Sequence, residues 1–401
     1  MSTQLTAAEI DQLSKQYLVP VYARRFAVDF VGGQGATLFD SEGKNYIDCC
    51  AGIAVNSLGY NHPDLQKAAS AALTLPWHFS NIFNNAPSAN LAKLLVETSG
   101  FADRVHFSLC GASANEGAFK FARKYGRTRH GDHKTEILAF SNAFHGRLFG
   151  SLAATPRPHY QDSFKPLMPG VRFANFNDIN SVKAQFNSNI CAVIVEPIQG
   201  EGGVYAADPA FLSELRALCD QHDALLIYDE VQCGVGRTGK LWAWQHSGVA
   251  PDILTTAKPL ANGLPIGAIL VRDKVAEVMS AGDHASTFAG GPFICAIAHS
   301  VVEIISSKSF LQSVQDKNAY LIAKLRSANL KAIKEIRGLG LILGLQLESS
   351  AVELAQKAFE NGLVAVPAGA NVLRLVPPLV ISEQEMDLAV ERLQISFEQL
   401  L

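Results

Sequence analysis

The sequence lacks the features by which nucleic-acid-binding and membrane proteins are usually recognised. Its 34 Lys and Arg residues are balanced by 37 Asp and Glu, which leaves a net charge of -3, and no basic cluster stands out. A chain of this charge has no positive field that would attract a phosphate backbone. No apolar run is long enough to cross a bilayer. We therefore expect no nucleic-acid partner and no membrane partner, and we expect charged ligands to be bound by local groups.

Cysteine is too sparse and too irregularly spaced to define a disulfide framework or a metal site. The chain has seven, among them the adjacent pair Cys49 and Cys50, and none stands in a C-x-x-C spacing. Seven thiols cannot all pair with one another, and zinc sites usually show that spacing. The first twenty residues contain Glu9 and Asp11 but no Arg, unlike a signal or transit peptide. These features predict a cytoplasmic location and no bound metal.

The middle of the chain alternates short apolar runs with helical stretches. Residues 137–140, 191–195, 224–228 and 253–256 are almost entirely apolar, as strands buried on both faces should be. A helical pattern at residues 208–219 lies between two of them. This alternation predicts an α/β fold with a mainly parallel sheet and helices on both of its faces.

The two ends of the chain have a different pattern. We predict a leading helix over residues 6–18 and a hairpin over residues 36–50. Toward the other end we predict a long helical stretch over about 296–325, a strand over 341–347 and a last helix opened by a capping box at 382–385.

A chain of 401 residues is long for a single core and suggests more than one domain. The pattern at the two ends predicts a smaller α+β domain that the N-terminal segment completes. The predicted division is an N-terminal segment at 1–50, a large domain at 51–293 and a small C-terminal domain at 294–401.

Three polar clusters follow apolar runs, where the ligand site of an open α/β sheet lies. The first is residues 109–116, in which a strand passes through a turn containing Gly111 and Ala112 into a helix predicted to end near Gly126. The free N–H groups at such a helix start bind phosphate. An ordinary tight turn between a strand and a helix explains this cluster equally well.

The second and third clusters each place one charged residue at the end of a buried strand. Asp229 is either a structural ion-pair partner or helix cap, or the acid that pairs with a protonated pyridine nitrogen. Lys258 follows the next strand and precedes a loop containing Gly and Pro. A partly desolvated amine has a lowered pKa and is the neutral nucleophile that forms a Schiff base, although a strand-end lysine can also be only structural.

The phosphate-binding turn, Asp229 and Lys258 are together the three anchors that pyridoxal 5'-phosphate (PLP) requires. With these residues the chain resembles, over nearly its whole length, class III aminotransferases of fold type I. The block at residues 228–267, with its Gly-rich residues 234–239, carries most of this resemblance. The resemblance implies a large domain with a mainly parallel seven-stranded sheet, a smaller α+β domain, and PLP as the cofactor.

The resemblance also implies roles for individual residues. Lys258 would hold PLP as a Schiff base and act as the catalytic base, and Asp229 would keep the pyridine nitrogen protonated. The other cofactor contacts would be Gly111 and Ala112 at the phosphate, Phe144 stacked on the ring, Val231 on the ring face, Gln232 at the ring hydroxyl, and Thr287 at the phosphate of a neighbouring subunit. Because of Thr287, the resemblance implies a homodimer with two shared sites.

Four residues would bind the substrate. Arg374 matches the family's carboxylate-binding arginine, and Arg147 would be a second carboxylate-binding residue. Arginine suits this role because its planar guanidinium binds a carboxylate through two hydrogen bonds. A solvated or structural arginine is the alternative for both. Glu201 matches the acid that pairs with Arg374 when no substrate carboxylate is present, and Ser286 completes the group.

Three positions depart from the family's usual pattern. Cys110 and Ser113 stand where Ser or Thr and Glu are commoner, so their side chains have no assigned role. Residues 24–29 lack the usual proline-containing pattern and are predicted to help line the substrate pocket.

The implied reaction is a ping-pong transfer of an amino group from a primary amine to 2-oxoglutarate. Within the class the resemblance is closest to the N-acetylornithine aminotransferases, through residues 50–56 with the aliphatic Ile53, 288–292 and 376–380. N-succinylornithine, N-succinyl-diaminopimelate, ornithine and 4-aminobutyrate remain open as donors. A PLP aminomutase or decarboxylase on the same fold and a non-enzymatic binding protein also remain. A nucleotide-binding domain is not favoured, because no G-x-G-x-x-G opens the first predicted βα unit.

Overall fold

The structure is a computed structural model, and it describes residues 5–23, 26, 28–328, 330 and 332–400. The predicted leading helix is confirmed as α1 (Ala7–Tyr17), which begins at a capping box formed by Thr6 and Glu9. None of its residues is buried. The packing of the molecule therefore begins after this helix.

The predicted hairpin is also confirmed. Strand β1 (Phe30–Gln34) pairs antiparallel with β2 (Thr37–Asp40), and β2 pairs antiparallel with β3 (Asn45–Asp48). Three helices follow, α2 (Ala51–Ala54), α3 (Pro63–Ala72) and α4 (Ala86–Ser99).

A seven-stranded sheet forms the centre of the molecule. Its region contains the strands β4 (Arg104–Ser108), β5 (Glu136–Phe140), β6 (Val171–Ala174), β7 (Ile190–Val195), β8 (Ile198–Gln199), β9 (Tyr205–Ala206), β10 (Leu225–Asp229), β11 (Ile253–Thr256) and β12 (Gly267–Val271). The strand order is β4-β12-β11-β10-β7-β5-β6, while β8 and β9 pair separately. Only β12 runs antiparallel to its neighbours, so the predicted mainly parallel seven-stranded sheet is confirmed.

Helices cover this sheet, as its apolar strands require. They are α5 (Gly111–His130), α6 (Phe149–Ala153), α7 (Pro158–Gln161), α8 (Ile179–Gln185), α9 (Pro209–Gln221) and α10 (Asp273–Ala276). The predicted end of α5 near Gly126 was wrong, because the helix continues for one more turn to Gly131, which has a φ of 92°. Gly126 serves close packing instead: a Cβ at this position would lie 2.8 Å from the Cβ of Cys191.

The C-terminal part is built around a second, antiparallel sheet. Its elements are α11 (Pro292–Ser306), α12 (Lys308–Ser327), β13 (Ile333–Leu339), β14 (Ile342–Leu347), α13 (Ala351–Glu360), β15 (Leu363–Val364), β16 (Val366–Pro367), β17 (Val372–Leu375) and α14 (Glu383–Glu398). The order of this sheet is β13-β14-β17-β16. Strand β15 instead pairs parallel with β3, so the N-terminal hairpin and the C-terminal part share a sheet. The residue boundaries of the predicted domains stay a prediction.

The helical stretch predicted over about 296–325 is helical apart from Ser307, where it divides into the two helices α11 and α12, bent by 66°. Ser307 lies between them in an extended conformation, and its hydroxyl accepts a hydrogen bond from the backbone N–H of Phe310. The serine therefore starts a new helix, which a pattern of apolar residues does not reveal. Within the described residues, no single helix is both long and apolar enough to cross a membrane, although α11 and α12 pass that test as a bent pair.

Candidate active site

The polar clusters predicted from the sequence lie at one edge of the large sheet. Strands β4, β11, β10, β7 and β5 all run in the same direction, because β12 is antiparallel to both β4 and β11. Their carboxyl ends surround a cavity of about 310 Å³. The predicted residues that line it are Gly111, Ala112, Phe144, Arg147, Glu201, Asp229, Val231, Gln232 and Lys258. The sheet thus brings most of the predicted site together.

The start of α5 forms a cradle of backbone N–H groups. The N–H groups of Gly111 and Ala112 have no hydrogen-bond partner among the described residues. A Cβ on Gly111 would overlap the side chain of Val231, so a glycine is needed here. The hydroxyl of Ser113 accepts hydrogen bonds from the N–H groups of Leu109 and Cys110. Ser113 is therefore a helix cap, and the free N–H groups beside it suit an anion.

Asp229 is held by three hydrogen bonds and is almost completely buried. Its Oδ2 accepts from Asn115 Nδ2 at 2.8 Å and lies 2.8 Å from Nδ1 of His145, while its Oδ1 accepts from the backbone N–H of Val231. Asn115 is fixed in turn, because its Oδ1 accepts from the hydroxyl of Thr255. A carboxylate with its orientation set in this way can meet a cationic ring nitrogen in the cavity.

His145 is fully buried beside Asp229. Burial disfavours its cationic form, but the hydrogen bond and the charge of Asp229, with the charge of Glu196, outweigh burial and raise the pKa of His145. Its Nε2 has no partner among the described residues. The ring therefore contacts the same oxygen of Asp229 as Asn115 does.

The amine of Lys258 is partly buried at the edge of the cavity. Burial lowers the pKa of Lys258 below its ordinary value of 10.5, although the charges of Glu201, Asp229 and Glu196 partly oppose this. No ion pair in the described part of the chain involves this amine. A lysine without a fixed partner and with a lowered pKa is available as a nucleophile.

Glu196 lines the cavity and contacts the segment that carries Phe144. One of its oxygens accepts a hydrogen bond from the backbone N–H of Phe144 at 2.8 Å, which fixes the segment that carries the ring. Burial raises the pKa of Glu196 to about 8, partly opposed by the charge of His145. The carboxyl group thus supports Phe144 while carrying less charge than an exposed glutamate.

Arg374 is brought into the site from the C-terminal sheet. Its guanidinium is 1% exposed, and Nη1 lies 2.7 Å from Oε1 of Glu201 and 3.0 Å from Oε1 of Gln232. Burial tends to raise the pKa of Glu201, but the charges of Arg374 and Lys258 outweigh it and lower the pKa. The predicted pairing of Arg374 with an acid is therefore present in the structure.

Arg147 lies at the opening of the cavity and is exposed. Its guanidinium carbon is 3.4 Å from the ring centroid of Tyr160 and 5.7 Å from that of Phe144. An arginine stacked on aromatic rings keeps its planar donors available to a ligand.

Three predicted site residues do not line the cavity of their own chain: Arg374, which contacts two of its lining residues, and the neighbours Ser286 and Thr287. Thr287 is exposed and Ser286 is partly exposed, and the carbonyl of Ser286 accepts a hydrogen bond from Asn81. Of the segment predicted to line the substrate pocket, residues 24, 25 and 27 lie outside the described residues. Its Phe26 stacks on Phe359.

Sequence reasoning assigned no role to three buried residues of the site. Asn115, His145 and Glu196 each lie in a polar segment that follows a strand of the large sheet. Only Glu196 carries an available signal, that of a polar residue directly after a fully apolar strand. Their partners could not be derived from it, because each partner comes from a different strand end.

An anion cradle, a buried carboxylate and a reactive amine fit the phosphate, ring nitrogen and aldehyde of PLP. On this sheet they define a PLP-dependent transferase, and solved structures support that class. An ornithine aminotransferase from Toxoplasma gondii ME49 is 31% identical, with coverage of 99% of this chain and 96% of that chain and a TM-score of 0.93. An N-acetylornithine aminotransferase from Stenotrophomonas maltophilia K279a is 37% identical, with coverage of 97% and 98% and a TM-score of 0.85.

The family follows from a direct match. The model of the family Aminotransferase class-III matches residues 19–397. The chain belongs to the class III aminotransferases, and its cofactor is PLP.

Proposed function

We propose that this enzyme transfers the terminal amino group of N2-acetyl-L-ornithine to 2-oxoglutarate, giving N-acetyl-L-glutamate 5-semialdehyde and L-glutamate, as in arginine biosynthesis. The observation that carries the proposal is the ion pair between the buried Arg374 and the partly buried Glu201, which lines the cavity that contains Lys258. A dicarboxylate acceptor brings a carboxylate next to its reacting carbon, and a buried arginine near Lys258 can bind it. An acid that covers this cation at other times lets the same cavity accept a donor that has no carboxylate next to its reacting carbon.

The cofactor contacts are proposed on the donor set of the cavity. The N–H groups of Gly111 and Ala112 would hold the phosphate, and Asp229 would hold a proton on the ring nitrogen. The ring would lie between Phe144 and Val231, with Gln232 at the ring hydroxyl. Stacking on Phe144 is expected to contribute about 1 kcal/mol beyond burial.

Lys258 has two tasks in this proposal. Its amine attaches the cofactor, and after a donor amine has displaced it, the free amine takes a proton from one carbon and returns it to another. Bound PLP supplies an electron sink for the electrons released when that proton leaves. The lowered pKa of Lys258 suits both tasks, because each needs the neutral amine.

The two arginines would bind the carboxylates of the substrates. Arg374 releases Glu201 and takes the carboxylate next to the reacting carbon of 2-oxoglutarate or glutamate. Arg147, at the opening of the cavity, takes the distal carboxylate of the acceptor or the distant carboxylate of the donor. Ser286 is proposed as a further substrate contact.

The choice of N-acetylornithine as donor rests on resemblance. The relative from Stenotrophomonas maltophilia, an N-acetylornithine aminotransferase, is 37% identical. The aliphatic Ile53 also supports an acylated donor, which has no free α-amino group to be recognised. Ornithine remains an alternative because the relative from Toxoplasma gondii is an ornithine aminotransferase.

A homodimer is proposed from the surface around Thr287. Large apolar side chains lie there in water: Trp77 is 67% exposed, Ile82 81%, Phe83 62% and Phe288 62%. Exposed apolar groups of this size usually form an interface. A second copy on this surface would bring its Thr287 to the phosphate of the first. A cytoplasmic location stays a prediction from the sequence.

A panel of amino donors tests the proposed function. The purified enzyme would be incubated with PLP, 2-oxoglutarate and each of five donors: N-acetylornithine, N-succinylornithine, N-succinyl-diaminopimelate, ornithine and 4-aminobutyrate. We expect glutamate formation with the highest kcat/KM for N-acetylornithine. A preference of tenfold or more, about 1.4 kcal/mol, for another donor would contradict this assignment.

The control is Lys258→Ala, which keeps the cavity but removes the amine. This variant should bind PLP without the covalent link and form no measurable glutamate. Turnover by the Lys258→Ala protein would show that another group is the base. Formation of a rearranged amino acid without glutamate in the unsubstituted enzyme would favour an aminomutase.

A further inference from the structure

The carboxamide of Gln232 has only one possible orientation in this site. Its oxygen lies 3.0 Å from Nη1 of Arg374. Arginine carries only hydrogen-bond donors, so the oxygen of the amide must face it and the NH2 group must face elsewhere. Gln232 is 8% exposed and lines the same cavity as Lys258 and Asp229. Its NH2 group makes no hydrogen bond within the described residues and is therefore free for a ligand in the cavity.

Gly200 leaves the space that this orientation needs. A Cβ at Gly200 would overlap the carboxamide oxygen of Gln232 and would lie 2.6 Å from its Cδ. The backbone of Gly200 does not have a positive φ, so an alanine would be tolerated conformationally. Contact with Gln232 is thus the closest obstacle to a side chain at this position.

From this geometry we infer that Arg374 and Gly200 together position the carboxamide of Gln232. The arginine proposed to bind a substrate carboxylate then also orients the NH2 group that faces the cofactor. The inference rests on the proposed function, in which Gln232 meets the ring hydroxyl of PLP. Gly200 is a positioning residue here, because it acts only by leaving room for the carboxamide. The carboxylate-binding part and the cofactor-binding part of the site are then linked through the amide of Gln232.

The substitution Gly200→Ala tests this link, because it displaces the amide without removing it. A hydrogen-bond donor stabilises the anionic form of an oxygen, so losing the NH2 group raises the pKa of that oxygen. We expect the midpoint of the pH titration of the visible PLP absorption to rise by roughly one unit in the resting enzyme. The KM for 2-oxoglutarate should rise roughly tenfold, with a smaller effect on kcat.

A double-substitution cycle separates this effect from general damage. Gln232→Ala alone should shift the absorption midpoint in the same direction as Gly200→Ala. If Gly200 acts through Gln232, adding Gly200→Ala to Gln232→Ala should change neither the midpoint nor the KM further. If the Gly200→Ala protein does not fold, Gln232→Met, which keeps the volume but removes both polar groups, must give the same two shifts.

The outcomes distinguish this inference from the proposed function. An unchanged midpoint and KM in Gly200→Ala, in an enzyme that transfers amino groups normally, would overturn the link alone. Full additivity of the two substitutions would also overturn it, because Gly200 would then act elsewhere. Failure of the unsubstituted protein to transfer amino groups to 2-oxoglutarate would overturn the proposed function, and the inference with it.

Discussion

At the scale of single residues, the charged groups of the site differ in how many hydrogen-bond and ion-pair partners the protein gives them. Asp229 receives three hydrogen bonds and Arg374 donates to two acceptors. Lys258 takes part in none of the ion pairs found in the described residues. Groups with hydrogen-bond partners hold their positions, whereas an amine without them can react. This contrast supports different roles for residues that share one cavity.

The lowered pKa of Lys258 gives a prediction for the apoenzyme. Only the neutral amine attaches PLP, so the rate of attachment should rise with pH and level off above the pKa of Lys258. Because burial lowers this pKa, the midpoint should lie below 10.5. Stopped-flow absorbance after mixing apoenzyme with PLP, from about pH 6 to about pH 10, measures it.

The matched control for this measurement is Glu201→Gln. The charge of Glu201 favours the protonated amine, so its removal should move the midpoint to still lower pH. A midpoint near 10.5, or one that rises in Glu201→Gln, would contradict the assigned environment of Lys258.

The residues of the site were predictable to different extents. Lys258 and Asp229 are charged groups directly at the ends of apolar strands, which is a local feature of the sequence. Asn115 and His145 are recognisable as supports of Asp229 only when the ends of separate strands are seen together. Local patterns do not contain such contacts, because the partners are far apart in the chain.

At the scale of elements, α5 shows which part of a helix the sequence predicts. The small residues at its start predict the cradle of N–H groups. In the structure, a side chain at Gly111 would overlap Val231. The sequence predicts its end one turn too early, because a glycine in a helical pattern commonly marks the end of a helix. Glycine serves either close packing or a left-handed conformation, and only the neighbours of a position decide between the two.

The packing at Gly126 predicts an unusual effect of alanine. In an ordinary helix interior, replacing glycine with alanine stabilises by about 1 kcal/mol. Here a Cβ would overlap the carbonyl of Lys134 and lie 2.8 Å from the Cβ of Cys191. We therefore expect Gly126→Ala to lower the free energy of unfolding by about 1–3 kcal/mol, measured by chemical denaturation of the holoenzyme.

Gly32→Ala is the control for this substitution. A Cβ at Gly32 would have its nearest neighbour, in Phe39, at 4.0 Å, so the change should stay within about 0.5 kcal/mol. A stabilised Gly126→Ala protein would show that the helix and its neighbours can move apart at no cost.

At the scale of the whole molecule, the site is completed by distant parts of the chain. Arg374 belongs to β17 in the C-terminal sheet, yet it contacts Glu201 and Gln232 in the region of the large sheet. The N-terminal hairpin joins the same C-terminal part through β3 and β15. The substrate end of the site therefore depends on packing between regions that are far apart in sequence.

The exposed apolar surface gives a prediction about assembly. Ile82 and Phe83 are 81% and 62% exposed, and Asn81 beside them binds the carbonyl of Ser286. If this surface forms the proposed homodimer, Phe83→Asp should weaken association by roughly a hundredfold or more, because it buries an unpaired charge. Light scattering during gel filtration would detect the monomer, and activity should fall with it.

A charge placed on another exposed apolar residue provides the comparison. Val352 on α13 is 42% exposed and lies away from Phe83 in the C-terminal part, so Val352→Asp should leave the assembly unchanged. If the Phe83→Asp protein has the same assembly mass and the same activity as the unsubstituted enzyme, the interface lies elsewhere on the surface.

The sequence by itself determined the apolar strands, the turn before α5 and the charged residues at strand ends, since each depends on neighbours only a few positions away. These local features were enough to predict the α/β fold, the PLP site and the family. The break at Ser307, the support of Asp229 by Asn115 and His145, and the space that Gly200 leaves for Gln232 were decided only by the tertiary structure. Each of these depends on atoms that folding brings together from distant positions, and no local pattern specifies their distances.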